Sequence, residues 1–157
     1  MHLREANQLL AANPHAFEDG YKLLDNRQGF VAVRTDMPQC SGRMIEWWFS
    51  YIHTTEEYKR WHPTEHIFSD WRCERKTGRY IGGTHVIHER LGTDQVHKLK
   101  LNFRDPSQIL DTTLFEPAEV SPAIYGRGGP LNLPLWSAHV LHLVHDTVEG
   151  CVMRSRF

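Results

Sequence analysis

In QVHKLKLNF, residues 95–103, Val96, Lys98 and Lys100 fall on one side of an extended chain and Leu99, Leu101 and Phe103 on the other. A helix would scatter these side chains around its circumference, whereas a strand sorts them onto two faces. The same period runs through RYIGGTHVIHERL, 79–91, where Gly82 and Gly83 mark a bulge or a point of close approach. GTD joins the two runs as a hairpin. Alternation returns in SAHVLHLVHD and GCVMRSRF, read as a last hairpin around TVEG, and is present earlier in GFVAVRTDM, 29–37. TLFEPAEV reads as a short strand, and SPAIYGRGGPLNLPLW, 121–136, as a Gly/Pro-rich loop.

Helical signals are confined to the first half. Residues 3–12 suit a short helix ended by NPH. SGRMIEWWFSYI suits a second, with Ser41 as its cap, although WWFSYI also suits a buried strand. TTEEYKRW suits a third, capped by Thr54 or Thr55 with acids in its first turn. Pro63 fits the first position of a further helix, which puts His62 near the cap and His66 inside the first turn. The order is strand, helices, then a run of antiparallel strands. This predicts a single α+β domain over residues 1–157 with a curved antiparallel sheet. Such a sheet needs a cover, and the natural one is a helix after the last strand. The alternating pattern instead runs to MRSRF, so the expectation is a truncated chain whose uncovered apolar face favours dimerisation (a homodimer), aggregation or a partner chain.

Bulk properties exclude several functions. With 157 residues and a formal charge of −1, the chain has no basic field for nucleic acid. The N-terminus carries charges and no apolar core of a signal peptide. No stretch approaches the roughly 18 apolar residues of a membrane span. Cys40, Cys73 and Cys151 are odd in number and lack CxxC spacing, which points to reduced, structural thiols. A soluble, cytoplasmic protein is expected. The unusual count is 11 histidines, the commonest metal ligands and the usual acid–base groups near neutral pH.

Three stretches concentrate chemistry. YKRWHPTEH, 58–66, holds His62 and His66, a spacing that suits either a metal or a polar rim. In THVIHE, 84–89, an extended chain puts Ile81, His85, Ile87 and Glu89 on one face. An inward glutamate must be paired, protonated or metal-bound, unless the glycines twist the strand and leave Glu89 at its solvent end. In HVLHLVHD, His139 and His145 share a face and His142 takes the other, as ligands or as half-exposed strand histidines. No glycine-rich phosphate loop and no GxSxG elbow is present.

Three strings in order, MIEWWFSYIHTTEEYKRWHPTEH, GRYIGGTHVIHERLG and HLVHDTVEGCVMRSRF, resemble the 2,4-diacetylphloroglucinol hydrolase family, which includes phloretin hydrolase. The resemblance spans residues 20–157. It implies a START-like (helix-grip) domain that uses zinc, held by two histidines and two glutamates, to cleave the bond between an acyl group and a phenolic ring. Carried onto this chain, the first histidine ligand falls on His66, with His62 as the alternative, and the first glutamate ligand on Glu89. The family's other two ligands lie on a helix after the MRSRF strand, which this sequence does not contain. His62 and His85 become the acid–base candidates. Trp48, Tyr51, Trp61 and Tyr80 become candidates for binding a small phenolic ketone. The competing expectation is a START-like module that binds a small aromatic or apolar ligand without chemistry.

Overall fold

The computed structural model describes residues 3–11, 17–72 and 79–157. Its strands are β1 (Gly20–Leu23), β2 (Gly29–Pro38), β3 (His66–Arg72), β4 (Thr84–Glu89), β5 (His97–Arg104), β6 (Ala123–Pro130), β7 (Ala138–Asp146) and β8 (Gly150–Arg156). Helix α1 (Gly42–Tyr51) and helix α2 (Thr55–Trp61) lie between β2 and β3 in the chain, and a 3-10 helix covers Leu3–Leu10. The strands form one sheet in the order β1-β2-β8-β7-β6-β5-β4-β3. The fold is therefore α+β, with antiparallel pairing of β1 with β2, β2 with β8, β7 with β8, β3 with β4 and β4 with β5. Among the described residues no helix is long and apolar enough to cross a membrane.

The chain divides into two compact units. The first comprises Met1–Glu46, Asp105–Tyr125 and Val140–Phe157. Its core gathers Ala6, Leu9 and Leu10 of the 3-10 helix with Leu110, Val120, Ala123, Tyr125, Leu141 and Leu143. β7 and β8 form the hairpin that the alternation predicts, closed by the Thr147 N–H donating to the Gly150 carbonyl at 2.8 Å. At the start of α1, Ser41 accepts from the Met44 N–H at 3.3 Å, as a cap should.

The second unit comprises Trp47–Arg104 and Gly126–His139. Here α2 begins with a capping box: Thr54 Oγ1 accepts from the Glu57 N–H, and the Glu57 carboxylate accepts from the Thr54 N–H. Ile52, Tyr58 and Ile87 form its small buried cluster, with Trp48 and Leu99 packed against them. The Trp71 indole N–H donates to the Ile52 carbonyl at 2.9 Å, tying β3 to the segment between the helices.

Several expectations are corrected. Pro63 starts no helix: His62 is the C-cap of α2, and His66 opens β3. Proline disfavours the helical conformation in the residue before it, so it stops α2 at that point. TLFEPAEV forms no strand, and a 3-10 turn at Thr112–Leu114 overlaps its start. The segment 121–136, read as a loop, contains β6, whose glycines answer to close packing. A Cβ on Gly126 would stand 2.8 Å from Leu101 Cδ1. Ile81 is exposed in a turn before β4 and does not share its inner face, because Gly82 takes a φ of +90° there. Lys100, predicted on a polar face, is buried: its ammonium donates to the Leu133 carbonyl at 2.6 Å and lies 4.6 Å from the Trp136 ring centroid. Cys40 and Cys151 are free thiols, and Cys73 lies outside the described residues.

Candidate functional site

His66 and Glu89 are the first residue of β3 and the last of β4, and the antiparallel register sets them opposite each other. Between His66 and Phe68 that register shifts. Cross-strand partners project to the same face, so the imidazole and the carboxylate converge, with His66 Nε2 3.7 Å from Glu89 Oε1. Two residues 23 positions apart in the sequence thus form one polar pair.

Tyr58, on α2, holds both members. Its carbonyl accepts a hydrogen bond from His66 Nδ1 at 2.9 Å, and its hydroxyl donates to Glu89 Oε1. Its ring stacks on His66 with centroids 3.8 Å apart and planes 2° apart. A carbonyl only accepts, so the proton sits on Nδ1 and leaves Nε2 with its lone pair toward Glu89. Burial lowers the His66 pKa, although the Tyr58 carbonyl and the charge of Glu89 pull the other way. The ring is thereby held neutral, the form that binds metal. Burial first, and the Glu89 charge second, raise the Tyr58 pKa, so the phenol keeps its proton.

The pair opens into a pocket of about 440 Å³ lined by His62, Glu65, His66, Glu89, Leu91 and Gly92. Glu65 closes one rim at both its ends. Its carboxylate accepts from the Gly92 N–H at 2.7 Å, and its carbonyl accepts from the Arg90 N–H at 3.1 Å. The His62 ring stands 5.9 Å from the His66 ring, centroid to centroid, and shares a 3.3 Å hydrogen bond with Thr64 Oγ1 through Nδ1.

The remaining predicted residues are distributed around this pair. His85 lies behind Tyr58, with ring centroids 5.2 Å apart at 78°. It is buried, stacked on Trp71 at 4.4 Å, and shares a 2.6 Å hydrogen bond with Ser69 Oγ. It does not line the pocket. Trp48 and Tyr51 belong to an aromatic run on α1, and Trp61 ends α2 with its ring 5.8 Å from Trp48. Tyr80 is buried among Phe49 and Phe103. His139, His142 and His145 are half-buried strand residues, and His142 shares a 2.8 Å hydrogen bond with Ser155. Among the described residues no group of three or more His, Cys, Asp or Glu side chains stands ready to hold a metal ion.

Sequence reasoning missed Tyr58 and Glu65. Both lie within YKRWHPTEH, but their roles depend on β3 turning back beside α2, which the expected helix at Pro63 hides.

No curated protein matches the chain. Among solved structures, the crystal structure of the Mll3558 protein from Rhizobium loti is similar at 16% sequence identity, covering 81% of this chain and 78% of that one, with a TM-score of 0.36. The sequence model of the DAPG hydrolase PhiG domain matches residues 1–157, end to end across the strings that carry Tyr58, His66 and Glu89. The chain belongs to this family of hydrolases.

Proposed function

We propose that the chain hydrolyses the carbon–carbon bond between an acyl group and a phenolic ring, in an acylphloroglucinol-like ketone, within a START-like (helix-grip) domain. His66 and Glu89 are the proposed ligands of a zinc ion. The observation that carries this reading is the disposition of the pair: Nδ1 of His66 is engaged by the Tyr58 carbonyl, while Nε2 faces the Glu89 carboxylate at 3.7 Å. Metal-binding histidines are ordinarily oriented in this way by a partner on the other ring nitrogen. A catalytic zinc takes about three protein ligands and a water. The pair accounts for two, and no third His, Cys, Asp or Glu among the described residues completes the group.

Zinc at such a site acidifies water or polarises the acyl carbonyl. In the overall reaction the hydroxyl of water ends on the acyl carbon and a proton on the ring carbon, giving a carboxylic acid and the deacylated phenol. His62 lines the pocket and is the group we assign to delivering the ring proton. His85, enclosed between Trp71 and Ser69, supports the Tyr58 ring from behind. Trp61 and Trp48, adjacent to one another, offer faces for a phenolic ring, with Tyr51 next to Trp48; Tyr80, buried among Phe49 and Phe103, packs behind this surface as core.

The test is elemental analysis of purified chain, with His66→Ala and Glu89→Ala beside wild type, followed by an assay for carboxylic acid released from an acylphloroglucinol. Near-stoichiometric zinc and turnover in wild type, both lost in each variant, are expected. Zinc retained in both variants would overturn the ligand assignment. A second reading, a START-like module that binds a small aromatic without chemistry, is favoured by the exposure of Trp47 and Trp61, at 57% and 37%. It requires aromatic binding to a metal-free chain with no acid released.

A further inference from the structure

We infer that Tyr58 is the positioning residue of the His66–Glu89 pair: through its carbonyl, ring and hydroxyl it sets the orientation in which the two side chains bind zinc. This rests on the zinc reading above and deepens it.

Each contact constrains a different freedom. The carbonyl bond to Nδ1 selects the tautomer of His66 and fixes rotation about its ring axis. The stack, at 3.8 Å and 2°, fixes the plane of the ring. The hydroxyl bond to Glu89 Oε1 fixes the carboxylate, which the backbone pairing at the last residue of β4 does not itself orient. Tyr58 is itself buried, with Ile52 and Ile87 packed around it and His85 edge-on behind it. Helix α2 therefore delivers one rigid side chain to two side chains that lie on separate strands.

A tyrosine that only fills the core would need the ring and nothing more. Here the hydroxyl and the carbonyl reach different members of one pair, and neither contact adds to the apolar cluster. Partners in this outer layer typically change metal affinity by about 10–100-fold when removed.

The experiment compares zinc titration of the full wild-type chain and of Tyr58→Phe, with thermal melting of both in the metal-free state and a crystal structure of each without metal. Phenylalanine keeps the ring stack and the carbonyl and removes only the hydroxyl. The expected result is a zinc Kd raised about tenfold, a melting temperature close to wild type, and a Glu89 carboxylate displaced from His66. An unchanged Kd in a wild type that binds zinc overturns the inference while leaving the zinc reading intact. If wild type binds no zinc, the zinc reading fails, and the metal-free structures decide the geometry. A displaced Glu89 then retains Tyr58 as the residue that orients the pair, and an unmoved Glu89 overturns that as well.

Discussion

Burial holds the His142 imidazole at a pKa of about 4, against an ordinary value of 6.5. As pH falls from neutral, the unfolded chain takes up its proton near 6.5 while the folded chain does so only near 4. Unfolding therefore binds a proton in that window, and stability falls as pH falls through it. The full stability is present above pH 6.5. Urea denaturation at about pH 7 and about pH 4.5 is expected to show a smaller loss in His142→Gln than in wild type. Equal losses would place the titration elsewhere. Sequence alone also had limits at this scale. Glu89 was legible because a carboxylate on the face of Ile87 demands a partner, although Ile81, expected on that face as well, lies off it. Tyr58 was not, because two of its three roles use a backbone carbonyl and a ring stack that no residue pattern encodes.

The elements divide by how local their causes are. The β7–β8 hairpin and β5 follow from alternation within a single run, and α2 from its own capping box, so each was readable where it stands. β3 was not readable. HIFSDWR has no strict alternation in burial, and its strand state comes from pairing with β4. β6 was hidden for a related reason: its glycines resemble a loop, yet Gly126 serves the close passage of Leu101 beside the strand. The capping box of α2 has a consequence for the pair, since it starts the helix that carries Tyr58. Thr54→Ala removes one side-chain acceptor and is expected to lower stability by about 1 kcal/mol. Urea unfolding measures this directly, and a change under a few tenths would show that tertiary packing alone places α2.

At the scale of the whole molecule, the two units have separate buried clusters, one around Leu143 and one around Tyr58. Leu143→Ala and Ile87→Ala are each expected to cost about 2–5 kcal/mol as cavities. Their effects on zinc should diverge. Measured well below each melting temperature, zinc stoichiometry should survive Leu143→Ala and weaken in Ile87→Ala, because Ile87 packs on the residue that touches both proposed ligands. Equal zinc binding in the two variants would count against that division. The register shift between His66 and Phe68 carries a last implication. Strand neighbours alternate faces, so sliding β3 by one residue would bring Ile67 to the place opposite Glu89. A chain misaligned in that way would keep its composition, its donors and most of its hydrogen bonds, yet it would have nowhere to load an ion. Under the proposed zinc reading, loading of the ion would act as quality control on sheet alignment, separating the native molecule from its near-miss.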